Sequence, residues 1–94
     1  MLVEETSVFT PVGTVAYRTI AGSVVLVNIQ DNRMIRLNET GSRIWVLLDG
    51  RSVGDIAGKI HETFDVTPEA ALEDTREFLG EMAERGLVTR REEG

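Results

Sequence analysis

At Leu37-Asn38 the chain changes period, and this constrains the fold more than any other feature. From Val15 to Leu37 the apolar residues come in β-branched runs and alternations, whereas from Glu39 onward they recur at helical spacing. The segment Leu37–Gly50 marks the switch. It begins where a β-hairpin ends. Asn38 can cap a helix, Ile44, Leu47 and Leu48 give that helix an apolar stripe, and Asp49-Gly50 stops it. Strands in one run followed by helices in another predict an α+β fold.

Three strands are expected before the switch. Val15–Ile20 is the first, closed by Ala21-Gly22. Ser23–Ile29 is the second; it is apolar on both faces and should be central. Asp31-Asn32 should make a tight hairpin turn, because both residue types tolerate positive φ. Arg33–Leu37 returns as the third strand, with Met34 and Arg36 on one face and Ile35 and Leu37 on the other, the pattern of an edge.

Three helices follow. The first spans about Glu39 to Leu48. The second starts at Ser52, where Ser52-Val53-Gly54-Asp55 resembles a capping box, and carries Val53, Ile56, Ala57, Ile60 and Phe64 as its stripe. The third has Thr67 as cap and Pro68 in its first turn, carries Ala71, Leu72, Thr75, Phe78, Leu79 and Met82, and ends at Gly86. Leu87-Val88-Thr89 is expected to form a short extension. Residues 1–12 look extended and loosely held, and 90–94 a frayed tail. The expected architecture is one domain, 1–94, with an ordered core of about 15–89. It is winged helix-turn-helix-like, a three-stranded antiparallel sheet followed by three helices.

Composition narrows the chemistry. The chain has no cysteine, so it has no disulfides, thiolate metal sites or cysteine nucleophiles. No secretory signal is recognisable, and the longest apolar runs, Val24–Val27 and Ile44–Leu48, fall far short of a membrane span. A soluble cytoplasmic protein is therefore expected. Sixteen acidic residues face ten basic ones, a net charge of −6, and Lys59 is the only lysine. The third helix carries Glu69, Glu73, Asp74, Glu77, Glu81 and Glu84 against Arg76 and Arg85, a surface that would repel phosphates. Nucleic acid is a poor partner; a basic or apolar peptide is a better one.

No catalytic constellation is recognisable. His61 is the only histidine, which is too few for a metal site or a nucleophile–base pair, and it reads as a surface residue. Asp55, Glu62, Asp65 and Asp74 fall on separate turns and read as caps or solvated faces. Gly41 and Gly54 belong to no phosphate loop; Gly41 should permit close packing of the first helix on the sheet. Trp45 reads as a core aromatic, with a pocket-lining role as the other reading. No enzymatic activity, metal or cofactor is expected.

Two features remain. One is the edge strand Arg33–Leu37, whose unpaired backbone groups need management. The other is the third helix, whose apolar residues spread from Phe78 and Ala71 on one flank to Leu72 and Ala83 on the other. An open edge beside surplus apolar surface suits strand addition by a peptide. Alternatively, the helix simply packs on the other two.

Over roughly residues 15–89 the chain resembles the PqqD family, also described as the RiPP recognition element. The matching residues are Met34-Ile35-Arg36-Leu37-Asn38, Gly41, Ile44-Trp45 and Leu48-Asp49-Gly50, then Ile56-Ala57, Phe64, Asp74, Phe78-Leu79 and Gly86-Leu87-Val88. The resemblance implies a winged helix-turn-helix fold and a non-catalytic peptide chaperone. Its partners would be the leader of a ribosomally made precursor peptide and a peptide-modifying enzyme. In PQQ biosynthesis that enzyme is a radical SAM protein, and related stand-alone proteins serve lasso-peptide and other pathways. The leader would pair with Arg33, Met34, Ile35, Arg36 and Leu37. It would lie in a groove against the third helix, whose expected wall is Ala71, Thr75, Phe78 and Met82. The alternative function is a scaffolding or regulatory winged-helix module that binds no leader.

Overall fold

The structure, a computed structural model, describes residues 3–91. Its elements are β1 (Val8–Pro11), β2 (Val15–Ile20), β3 (Ser23–Asn28), β4 (Arg33–Arg36), α1 (Glu39–Val46), α2 (Val53–Thr63), α3 (Pro68–Glu84) and β5 (Val88–Arg91). Strands β2, β3 and β4 form an antiparallel sheet with β3 in the middle, as its two-sided apolar pattern predicts. Val24 and Leu26 are buried on the side facing the helices.

The two hairpins turn differently. Ile20 pairs with Ser23, and Ala21 and Gly22 between them both have positive φ, 51° and 83°. That geometry matches the twist of the strands. The β3–β4 connection is longer than the expected Asp31-Asn32 turn. It occupies residues 29–32, and only Asn32 has positive φ, 58°. Its amides are already satisfied locally. Asn32 N–H donates to the Asn28 carbonyl, Gln30 N–H to Asn28 Oδ1 and Arg33 N–H to Asp31 Oδ1.

Every helix starts where a side chain can replace the missing helical acceptor. Asn38 Oδ1 accepts from Gly41 N–H at 2.7 Å, Ser52 Oγ from Asp55 N–H at 3.2 Å, and Thr67 Oγ1 from Ala70 N–H at 3.1 Å. Helix α1 stops at Val46, two residues before the expected end, although Leu47 and Leu48 still pack on the core. Helix α3 closes on Gly86 at φ 74°: Leu87 N–H reaches the Met82 carbonyl and Gly86 N–H the Ala83 carbonyl. This paired closure needs a residue at positive φ, and glycine adopts it without steric cost.

Residues 3–12 and Val88–Arg91 are better held than expected. Strands β1 and β5 form a second, two-stranded antiparallel sheet in which Val8 pairs with Arg91 and Pro11 with Val88. Phe9 is 1% exposed, and Val3, Leu87 and Val88 also belong to the core. The carbonyls of Ser7 and Glu5 accept from Val53 and Gly54 N–H, so the N-terminal segment satisfies first-turn amides of α2. Residues 3–12 are therefore not loosely held, and Arg90 and Arg91 are strand residues; residues 1–2 and the rest of the expected frayed tail, 92–94, lie outside the described residues.

Helix α1 is pinned to the sheet by one hydroxyl. Buried Ser42 Oγ accepts from Val24 N–H at 2.9 Å and lies 3.3 Å from the Leu37 carbonyl, to which it donates. It stands in for a ladder bond between the ends of β3 and β4. Gly41 does provide close approach, but to α3 and not to the sheet. A Cβ there would meet Phe78 Cε1 at 2.9 Å.

Candidate functional site

Strand β4 is an edge, as expected, with β3 on one side only. In an antiparallel ladder bonded and non-bonded pairs alternate. Leu37 N–H donates to the Val24 carbonyl, and Ile35 pairs with Leu26 two residues away in register. Ile35 and Leu37 therefore turn their backbone groups to β3. Met34 and Arg36 turn theirs to the open edge, where they offer two donors and two acceptors.

Helix α3 forms the facing wall. Strand β4 packs closely on β3, and the surface between it and α3 carries two separate pockets, together the candidate groove. At the α1 end it opens into a pocket of about 270 Å³ whose lining includes Asn38, Gly41, Ile44, Asp74, Phe78 and Glu81. At the hairpin end a pocket of about 560 Å³ is lined in part by Arg33, Met34, Ile35, Arg85 and Leu87. On α3 the residues Asp74, Phe78, Glu81 and Arg85 recur at helical spacing and so share one stripe. Ile35 and Phe78 are half-buried and pack against the core. Gly41 is what lets the Phe78 ring lie against α1.

The groove is electrically uneven. Asp74, Glu77 and Glu81 line the α1 end, while Arg33 and Arg85 stand with Asp31 at the hairpin end. Glu81 and Arg85 are paired at 2.9 Å, and Arg33 lies 3.9 Å from Asp31. These pairs are exposed and each contributes well under about 1 kcal/mol to stability.

The structure divides the expected site residues. Arg33, Met34, Ile35 and Phe78 line the groove or its mouth, and Arg36 faces it with its backbone. Ala71, Thr75 and Met82 do not form its wall. They are buried, and Thr75 Oγ1 donates to the Ala71 carbonyl at 2.8 Å. Leu37 is buried too, with its N–H and carbonyl engaged by Val24 and Ser42. The correction on α3 is a rotation of one residue position, about 100° around the helix. The stripe through Ala71, Thr75, Leu79 and Met82 faces the core, and the adjacent stripe faces the groove. Sequence reasoning missed Asn38, Glu77, Glu81 and Arg85 as wall residues. The signal was present: Phe78 sits off the core stripe and is flanked at helical spacing by charges.

Trp45 is a core residue, 3% exposed, and meets Tyr17 edge-on at 6.3 Å. His61 is exposed, and its Nδ1 lies 2.7 Å from the Val66 carbonyl, linking α2 to the turn before α3. Among the described residues no group of three His, Cys, Asp or Glu side chains is placed to hold a metal ion. No helix among them is long and apolar enough to cross a membrane.

Two solved structures share this architecture. One is TbiB1 in complex with the TbiA(beta) leader peptide, 28% identical, with a TM-score of 0.81 over 89% of this chain and 99% of that chain. The other is a lasso peptide synthetase B1 complexed with the leader peptide, with a TM-score of 0.78 over 86% of this chain and 96% of that one; at 23% identity it speaks to the fold alone. No curated protein matches the chain. The protein-family model for coenzyme PQQ synthesis protein D (PqqD) matches residues 23–88, more than half of the sequence, and the chain belongs to that family.

Proposed function

We propose that this protein is a non-catalytic recognition element. It binds the leader of a ribosomally made precursor peptide as an added strand along β4 and presents the peptide to a modifying enzyme. The observation that carries this reading is the open edge of β4, with one pocket lined by Ile35 at its hairpin end and another lined by Phe78 on α3. The likeness to TbiB1, a protein solved with a leader peptide, supports it.

The physical account is short. The leader's backbone pairs with the N–H and C=O groups of Met34 and Arg36. Those bonds fix register, and alternate leader side chains turned toward α3 give selectivity. An apolar leader side chain would rest on Ile35 and Phe78. The groove's charges set direction, with a basic residue favoured beside Asp74, Glu77 and Glu81. No nucleophile–base pair is needed, because the chemistry belongs to the enzyme that receives the peptide.

An NMR titration with the leader encoded beside this gene tests the reading. Shifts should concentrate on the amides of Met34 and Arg36 and on Gly41, Phe78 and Glu81. Shifts confined to α2, or none at high peptide concentration, would refute it.

A further inference from the structure

The sheet has a second side that the core does not use. Register places Ala16, Val27 and Met34 in one row across β2, β3 and β4, and Arg18, Val25 and Arg36 in the next. Ile20 continues the same side of β2. All these side chains point away from the helices, since Leu26 and Val24 on the opposite side belong to the core. Met34 is 69% exposed and Ile20 50%. Val25 is only 8% exposed yet stands apart from the core cluster. Its cross-strand neighbours are Arg18 and Arg36, one on either side.

The charge on this side runs against the rest of the molecule. The net charge is −6, but none of the sixteen acidic residues lies in β2, β3 or β4. The result is an apolar strip flanked by two arginines. Two copies meeting through this face by two-fold symmetry would bring arginines together, which disfavours a self-dimer. Two arginines around an apolar centre are also too few cations for nucleic acid. An apolar protein surface bordered by carboxylates is complementary in both respects.

We infer that the outer face of β2-β3-β4 docks the peptide-modifying enzyme, and that a leader strand bound beside β4 enlarges this face. The inference rests on strand addition at β4. Alternate side chains of an added strand emerge on the outer face, level with Met34 and Arg36. The enzyme then contacts carrier and peptide as one surface. By linkage, peptide and enzyme must strengthen each other's binding by the same factor.

The test uses the purified chain, a fluorescein-labelled peptide spanning the leader encoded in the same gene cluster, and the modifying enzyme purified from that cluster. The variant is Arg18→Glu with Ile20→Asp. Both positions are exposed and lie about 10 Å, two strand spacings, from the β4 edge. Its peptide affinity should stay within about twofold of wild type, while enzyme affinity falls about tenfold or more. Saturating peptide should raise wild-type enzyme affinity about fivefold or more. Ala16→Glu, a single change at another exposed position on this face, should give the same loss if the double variant melts early. Unchanged enzyme affinity in folded variants would overturn the inference. So would wild-type self-association that these changes abolish, because a second copy would then be the occupant. A wild-type chain that fails to bind the labelled peptide would instead overturn the groove reading, a failure visible before enzyme is added.

Discussion

The β2-β3-β4 sheet has two free edges, and they are unlike. Along β2 the outward backbone groups belong to Val15, Tyr17 and Thr19, since Ile29 N–H bonds to the Thr14 carbonyl and pairs alternate from there. Tyr17, 52% exposed, leans its ring on Trp45 of α1. Along β4 the outward groups of Met34 and Arg36 front a groove walled by α3. An unpaired edge is common to both; at β4 a pocket lined by Met34 and Ile35 lies beside it, while at β2 the Tyr17 ring meets Trp45. Unsatisfied hydrogen-bonding groups invite a strand, but apolar surface beside them gives it affinity.

The largest effect should come from Trp45→Ala, which removes the aromatic under the β2 edge. We expect a loss of about 3–5 kcal/mol in urea unfolding, the range for a large core aromatic. An unchanged midpoint with lost peptide binding would place Trp45 in the recognition surface, and the two edges would then be linked through it.

Proline substitution compares the edges directly. Met34→Pro removes an outward donor of β4 and should weaken leader binding about a hundredfold, read by fluorescence anisotropy. Thr19→Pro removes the equivalent donor of β2 and should leave affinity within about twofold. Equal losses at both edges would end the distinction. Gly41→Ala should act on the groove through its wall. The added methyl displaces the Phe78 ring, so leader affinity should fall about tenfold, with a stability loss of about 1–3 kcal/mol from overpacking. The smallest effect should be Ala21→Asn in the β2–β3 turn. Ala21 holds φ 51°, which asparagine tolerates better, so stability should rise by about 0.5–1 kcal/mol with no change in peptide affinity.

Local signals made most of this legible from the residues alone. Asn38, Ser52 and Thr67 cap the helices they were expected to cap, and Gly86 ends α3. The central and edge strands follow from which faces are apolar. The β1–β5 sheet was not legible, because Val8–Pro11 is four residues long, lacks alternation and pairs with a strand near the opposite end of the chain. The groove was half legible. The edge could be read from β4 alone, but which stripe of α3 faces it depends on tertiary packing. Ala71, Thr75 and Phe78 are all compatible with an apolar face, and only the contact of Gly41 with Phe78 settles the rotation.

The pairing of Val8 with Arg91 also has a topological consequence. The first and last strands of the folded unit lie side by side, about 5 Å apart. Such a unit can be spliced into a surface loop of a larger polypeptide as an excursion that returns to its starting point, without stretching the host.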